Sequence, residues 1–456
     1  MMPVNLRLSC GSLAALLWAA PILAQPPATL EQQQQILPLP GGLDQVPVFN
    51  SNSPEVVQRE GILLSTFPAS GKATPAAHLN YAFRGRFDIF AHHIAKPPDP
   101  ADLTTLYVGI LAYNPGATPV TIDLLHAASY LSQPDAPFVP LPARQANDLG
   151  QIFAGPGDRV MLDILRRRRQ EGWPSQIVLP PRSYGLIANL PIPVKGLDPP
   201  LNGRSLLIRA RSSGDIYLAS LARFAPEDEP TLAQWQETLH QGGLVTPRDR
   251  PPSPPNQPGN IIYSRVAGVA LGSRWHNPQQ TPIPIPNTGE AFSYPLSSLV
   301  AGRLGTDQIQ TAPLVVRYPD TAYAAHGNYA VEYDLVLPLH NQSDRPQTIR
   351  LALQTPIKFD APAPTLRFFA EPPNRIFFRG SVRLRYRDDQ GAPQSRIIHL
   401  VQRQGQQGGD LVRLTLQPNE TRFVQFTMLY PPDATPPQVL TVETLPFPAL
   451  GERKSP

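Results

Sequence analysis

The chain has 456 residues, with 58 prolines, a single cysteine and a formal net charge of +4. Charged residues make up 16%, against a usual ~25%, while proline far exceeds its usual ~5%. This composition argues against a mainly helical protein, the small net charge gives no reason to invoke nucleic acid, and one cysteine excludes an internal disulfide.

Residues 1–24 read as a signal peptide. Arg7 supplies the positive region, and the apolar run LAALLWAAPILA ends at Ala24, with Ile22 and Ala24 at −3 and −1 of a cleavage before Gln25. The run is shorter than the ~20 residues of a membrane span, and no later run approaches that length, so no transmembrane span is expected after signal removal. Cys10 would leave with the signal, and the mature chain would then have no thiol chemistry. Residues 25–45 are expected to be a flexible leader.

A first β-sandwich-like domain is expected over 46–245. Within it, FDIFAHHIAK (87–96) combines a carboxylate with two imidazoles, the raw material of metal and acid–base sites. It reads as a strand. Period two then puts Asp88 and His92 on one face with Arg86 and Phe90, and His93 on the other with Ile89. At ~3.3 Å per residue Asp88 and His92 stand about 13 Å apart, too far to share a metal on a straight strand. His78 is a further partner that a neighbouring strand could supply. Asp88, His92 and His93 are therefore candidate ligand contacts, with no metal or cofactor expected.

Two helices are expected as insertions in this half. Over 157–173, Asp158 serves as N-cap and Val160, Met161, Ile164 and Leu165 share a face. The run Arg166–Arg169 with Trp173 then reads as a solvated helix end, or as a contact for an anionic polymer. Over 231–243, Thr231 and Gln234 form a capping box, Leu232, Trp235 and Leu239 the apolar stripe, and Gly242 the stop.

TPRDRPPSPPNQPGN (246–260) reads as a stiff linker. A second β-sandwich-like domain is expected over 261–445, and 446–456 is expected to be a flexible tail. In RYPDTAYAAHGNYAVEYD (317–334), Asp320, Tyr323, His326 and Tyr329 are candidate ligand contacts of the kind a carbohydrate-binding loop carries. In the hairpin 381–402, Arg383, Arg385 and Arg387 form a basic surface, with Arg396 opposite. The halves also share a faint repeat. NPGATPVTIDL (114–124) and NQSDRPQTIRL (341–351) both fit N-x4-P-x-T-I-x-L after a strand-like run. Two tandem immunoglobulin-like sandwiches, mainly β, follow as the expected architecture.

No H-E-x-x-H, G-x-S-x-G, P-loop or dinucleotide-binding motif is present. Several segments, among them VPVFNSNSPEVV (46–57), GRFDIFAHHIAK (85–96), IYSRVAGVALGS (262–273) and LYPPDATPPQVLTVET (429–444), together resemble the exported cyanobacterial family called domain of unknown function 3370. The resemblance implies an envelope setting, periplasmic or outward-facing, and no reaction. It also suggests that the halves form one unit. The expected function is a non-enzymatic envelope module, structural or binding, with envelope protein or polysaccharide as partner. The alternative is an envelope glycan or peptide hydrolase using an Asp/His pair, such as Asp88 with His92 or His78, or Asp320 with His326.

Overall fold

The computed structural model describes residues 27–446, apart from 227, 256, 258, 279 and 280. The expected signal peptide with Cys10, and residues 447–456 of the expected tail, lie outside the described residues. Strands dominate, with two α-helices among them.

In the first half, Phe83–Ala95 pairs antiparallel with the 24-residue strand Asn202–Ala225, from Ala95 opposite Asn202 to Phe83 opposite Ile216. Val120–Leu131 flanks the same stretch on its other side. The register shifts between Ser212 and Ile216, and beyond it the long strand pairs instead with Thr105–Tyr113 and Gly61–Ser65. One strand thus serves two layers. Ile89, Ala91, Ile110 and Leu218 fill the core between them, while Phe90 on the opposite face packs with the first helix.

In the second half, Glu332–His340 pairs with Thr421–Leu429, which continues to Ile376–Arg387 and Pro393–Arg403. A second sheet places Gln347–Gln354 between Asp410–Leu416 and Gln438–Thr444, followed by Ala291–Leu296. Leu335, Leu337 and Leu339 of one sheet share a core with Leu351, Leu353 and Val442 of the other, a sandwich-like arrangement.

The repeat has a physical basis. Asn114 Nδ2 donates to the carbonyls of Thr118, Leu179 and Pro180 at 2.8, 3.1 and 3.0 Å, and its Oδ1 accepts from Gly116 N. Asn341 Nδ2 donates to Arg345, Leu416 and Gln417 at 2.8, 3.0 and 3.1 Å, and its Oδ1 accepts from Ser343 N. Each asparagine is fully buried and ties the turn between two strands to the end of a third.

Several expectations are corrected. Residues 29–43 of the expected flexible leader form short strands: Thr29–Gln33 pairs with Thr365–Phe369, Gln35–Ile36 with Ala291–Leu296, and Gly42–Leu43 with Arg274–His276. Pairing also crosses the 246–260 segment, because Ala267–Leu271 lies against Pro47–Ser51 and Arg144–Ala146 against Pro393–Arg403.

The first helix spans only Pro156–Leu165, with Gly155 as N-cap. Asp158 sits inside it, accepting from Ala154 N at 2.9 Å. The chain leaves the helix where Arg167 takes φ +60, and Gln170 N then bonds to Ala127 O at 2.8 Å. The second helix, Leu232–Gln241, has the expected Thr231/Gln234 capping box. Trp235 and Leu239 are buried but Leu232 is exposed. Trp235 presses on Gly109, where any Cβ would come within 2.6 Å of the indole.

Candidate functional site

Strand alternation places the histidine pair as expected, but each ring is already partnered. His93 is buried. Its Nδ1 lies 2.9 Å from Pro54 O and its Nε2 3.0 Å from Ser51 Oγ. A carbonyl only accepts, so Nδ1 carries the proton and Nε2 accepts from the serine. Burial holds this imidazole down at about 3. His92 faces Ser205 Oγ at 2.8 Å and Glu55 at 3.8 Å, and burial with the Arg265 charge holds it at about 4. Asp88 turns instead to Arg86 at 2.5 Å and Arg209 at 3.8 Å, while burial drives its carboxyl up against both cations. His78 bonds Ser65 Oγ at 2.8 Å. Neither the Asp88/His92 nor the Asp88/His78 pair forms.

Asp88 belongs to a buried ion network across the seam of the two halves. Glu332, wholly buried, takes Arg167 at 2.7 and 3.0 Å and Arg209 at 2.5 Å. Burial raises the Glu332 carboxyl, but Arg209 and Arg167 outweigh it and hold it at about 2. Asp334 pairs with Arg274 and accepts from Gln425 at 2.6 Å. Arg167, expected at a solvated helix end, is thus an inward ligand of this network.

The basic stripe is also broken. Arg383 is buried and donates to Leu165 O at 2.9 Å, at the end of the first helix. Arg385 and Arg387 are exposed. Register puts Arg396 opposite Leu384, one place off the arginines, and it pairs with Asp148 at 3.6 Å. Alternation gives the shared face, but not that a helix covers part of it.

The 317–334 loop disperses its residues. Asp320 is held by Arg248 at 2.7 and 3.1 Å. Tyr323 lies under the Arg317 guanidinium at 3.7 Å. The Asp320/His326 pair does not form. His326 instead meets the Tyr263 ring at 4.5 Å between centroids, and Tyr329 stacks on Tyr430. Of the carboxylate–imidazole contacts among the described residues, Glu55 with His92 stands at 3.8 Å, and Asp158 with His399 is the shorter, at 2.8 Å. Both side chains are fully buried, closed to any substrate in this state.

His326 and Tyr329 do line a cavity of about 230 Å³, built from both sides of the 246–260 segment. Asn50 and Asn52 enter from the strand Pro47–Ser51 and the residue after it. Period two gives them the same face, and Asn52 N bonds to Val266 O at 2.8 Å. Tyr263, Ser264 and Arg265 come from the approach to Ala267–Leu271, Lys358 from the loop after Gln347–Gln354, and Ala434–Pro436 from the loop after Thr421–Leu429.

Four lining residues each keep a polar atom that is buried without a hydrogen-bond partner: Asn50 Oδ1, Asn52 Oδ1, Ser264 Oγ and His326 Nδ1. Such atoms are uncommon and each costs about 1–3 kcal/mol. Burial holds His326 at about 4, so the ring is neutral near pH 7 and can donate or accept. A larger groove of about 780 Å³, beside Phe138, Phe369 and Arg379, is lined by none of these unpartnered atoms. Asn50, Asn52, Tyr263, Ser264, Arg265 and Lys358 were not singled out from the sequence. The signal available was FNSN, a strand with asparagine at alternate positions.

The fold and this cavity define a class: a mainly β, sandwich-like protein whose two halves share strands, a buried ion network and a small cavity. Residues 34–444 match the family described as "Protein of unknown function (DUF3370)", and the chain belongs to that family. No curated protein matches it. Among the described residues no helix is long and apolar enough to cross a membrane, and no cluster of three or more His, Cys, Asp or Glu side chains could hold a metal ion.

Proposed function

We propose that this is an exported, non-enzymatic module of the cell envelope that binds envelope polysaccharide through the cavity of Asn50, Asn52 and His326. The observation that carries this reading is that four residues with a buried, unpartnered polar atom all line one small cavity. A hydroxyl-rich ligand supplies the missing hydrogen bonds, and the Tyr263–His326 pair offers ring surface to an apolar sugar face. Export rests on the N-terminal segment, with Arg7 followed by the apolar run to Ala24.

The test uses immobilised protein beginning at Gln25 and polysaccharide purified from the envelope. Retention that disappears in Asn52→Ala, with the melting curve still cooperative, supports the reading. Equal retention by both proteins removes the cavity from it. In envelope fractions, mature protein is expected to begin at Gln25, and an intact Met1 counts against export by a cleaved signal.

A further inference from the structure

The charges on the cavity lining narrow the ligand. Its lining includes two cations, Arg265 and Lys358, and no carboxylate among the described residues. Arg265 is already balanced by Glu55 and lies 3.8 Å from Asp249. Lys358 is not balanced in this way. The acid in its field, Asp360, is engaged by the backbone N–H groups of Gly302 at 2.7 Å and Arg303 at 3.0 Å, and by the Arg303 side chain at 3.6 Å. Lys358 is exposed as a residue, while partial burial and the Arg375 charge lower its ammonium's pKa, so that an anion brought beside it is favoured.

Two other lining residues ask for the opposite chemistry. Asn50 and Asn52 are 4% and 6% exposed, and the atom each leaves unpartnered is an amide oxygen. Amide oxygens only accept, so a ligand towards which these side chains turn presents donors to them. A ligand that carries both hydroxyl donors and a carboxylate satisfies both demands. The volume suits a single ring.

We propose that the cavity recognises a uronic acid, the carboxylate-bearing sugar unit of acidic polysaccharides. Asn50 and Asn52 accept from its hydroxyls, and Lys358 faces its carboxylate. This rests on the reading of the cavity as a polysaccharide site and specifies the unit that it takes.

The experiment titrates the protein beginning at Gln25 with glucuronate, with glucose, and with a short oligomer of glucuronate, by calorimetry at low salt. Glucuronate is expected to bind about tenfold or more tighter than glucose, the margin of one charge-assisted contact. Lys358→Gln, at an exposed position, brings glucuronate down to the affinity of glucose. Asn52→Ala weakens both sugars. An oligomer that binds tighter than the monomer identifies polymer as the source, and equal affinities identify the free sugar acid. Equal binding of glucose and glucuronate overturns the acidic unit and leaves the cavity as a sugar site. Failure of all three to bind overturns both readings.

Discussion

Asn114 and Asn341 show how much one side chain can hold. Each is fully buried, and each spends both amide hydrogens and its oxygen on backbone groups of its own turn and of one distant strand end. Replacement by alanine strands several of those backbone groups away from water. Asn114→Ala and Asn341→Ala are each expected to lose about 3 kcal/mol or more of stability in urea unfolding, and by similar amounts because the wiring is the same. A loss below 1 kcal/mol at either site would count against the shared role. Asn341 also heads an N-x-S sequon, but its amide nitrogen is committed to three carbonyls. The asparagine pair was legible in the sequence because the turn residues around it recur. Asn50 and Asn52 were not, since an asparagine in a strand does not announce whether it meets a partner.

Buried neutral histidines give a second expectation at this scale. His92 and His93 sit at about 4 and about 3 in the folded protein, below the ordinary 6.5. As pH falls from about 6.5 towards 4, the unfolded chain takes up protons that the folded chain refuses. Stability therefore drops through that window, by about 1.4 kcal/mol per pH unit for each histidine. His93→Gln is expected to flatten the slope of unfolding free energy against pH by one proton. An unchanged slope would show that His93 titrates alike in both states.

Between elements, the seam is held by charge as well as by apolar contact. The first helix, the long strand Asn202–Ala225 and the strand Glu332–His340 meet where Arg167 and Arg209 reach Glu332. Removing the common partner leaves Arg209 almost fully buried without its closest anion. Glu332→Ala is expected to cost about 3–5 kcal/mol, and Arg167→Ala much less, because the Arg167 side chain is 39% exposed. Equal costs in denaturant titrations would refute that ordering. The Glu332 contribution is fully present above about pH 4.5 and is lost as pH falls towards 2, the direction set by a carboxyl whose folded value is depressed.

The sequence carried much at this scale: the capping box at Thr231, the 381–402 hairpin and the strand through Asp88 all follow local pattern. It did not carry the covering of Arg383 by the first helix, or the partnering of Arg167. Alternation sorts side chains onto faces, and only the packing of distant elements decides which face is covered.

For the whole molecule, the crossing of strands between halves bears on how the chain comes together. The sheet around Gln347–Gln354 takes strands from residues 35–36, 291–296, 410–416 and 438–444. Its first strand therefore waits for a neighbour whose own partner is the last strand of the described chain. Non-local pairing of this kind makes assembly slow. A chain emerging from its N-terminus spends its synthesis with the 29–43 strands unmatched and open to proteases or to other copies. Ending the protein at residue 436 removes the 438–444 strand and uncovers Ala291–Leu296 on one side. Limited proteolysis of that truncation is expected to cleave within 27–43 far faster than in the full chain, and equal rates would show that the N-terminal strands dock without the C-terminal one. If the full chain protects 27–43 and the truncation does not, the clasp of the first strands acts as a clock that waits for the 438–444 strand to be delivered.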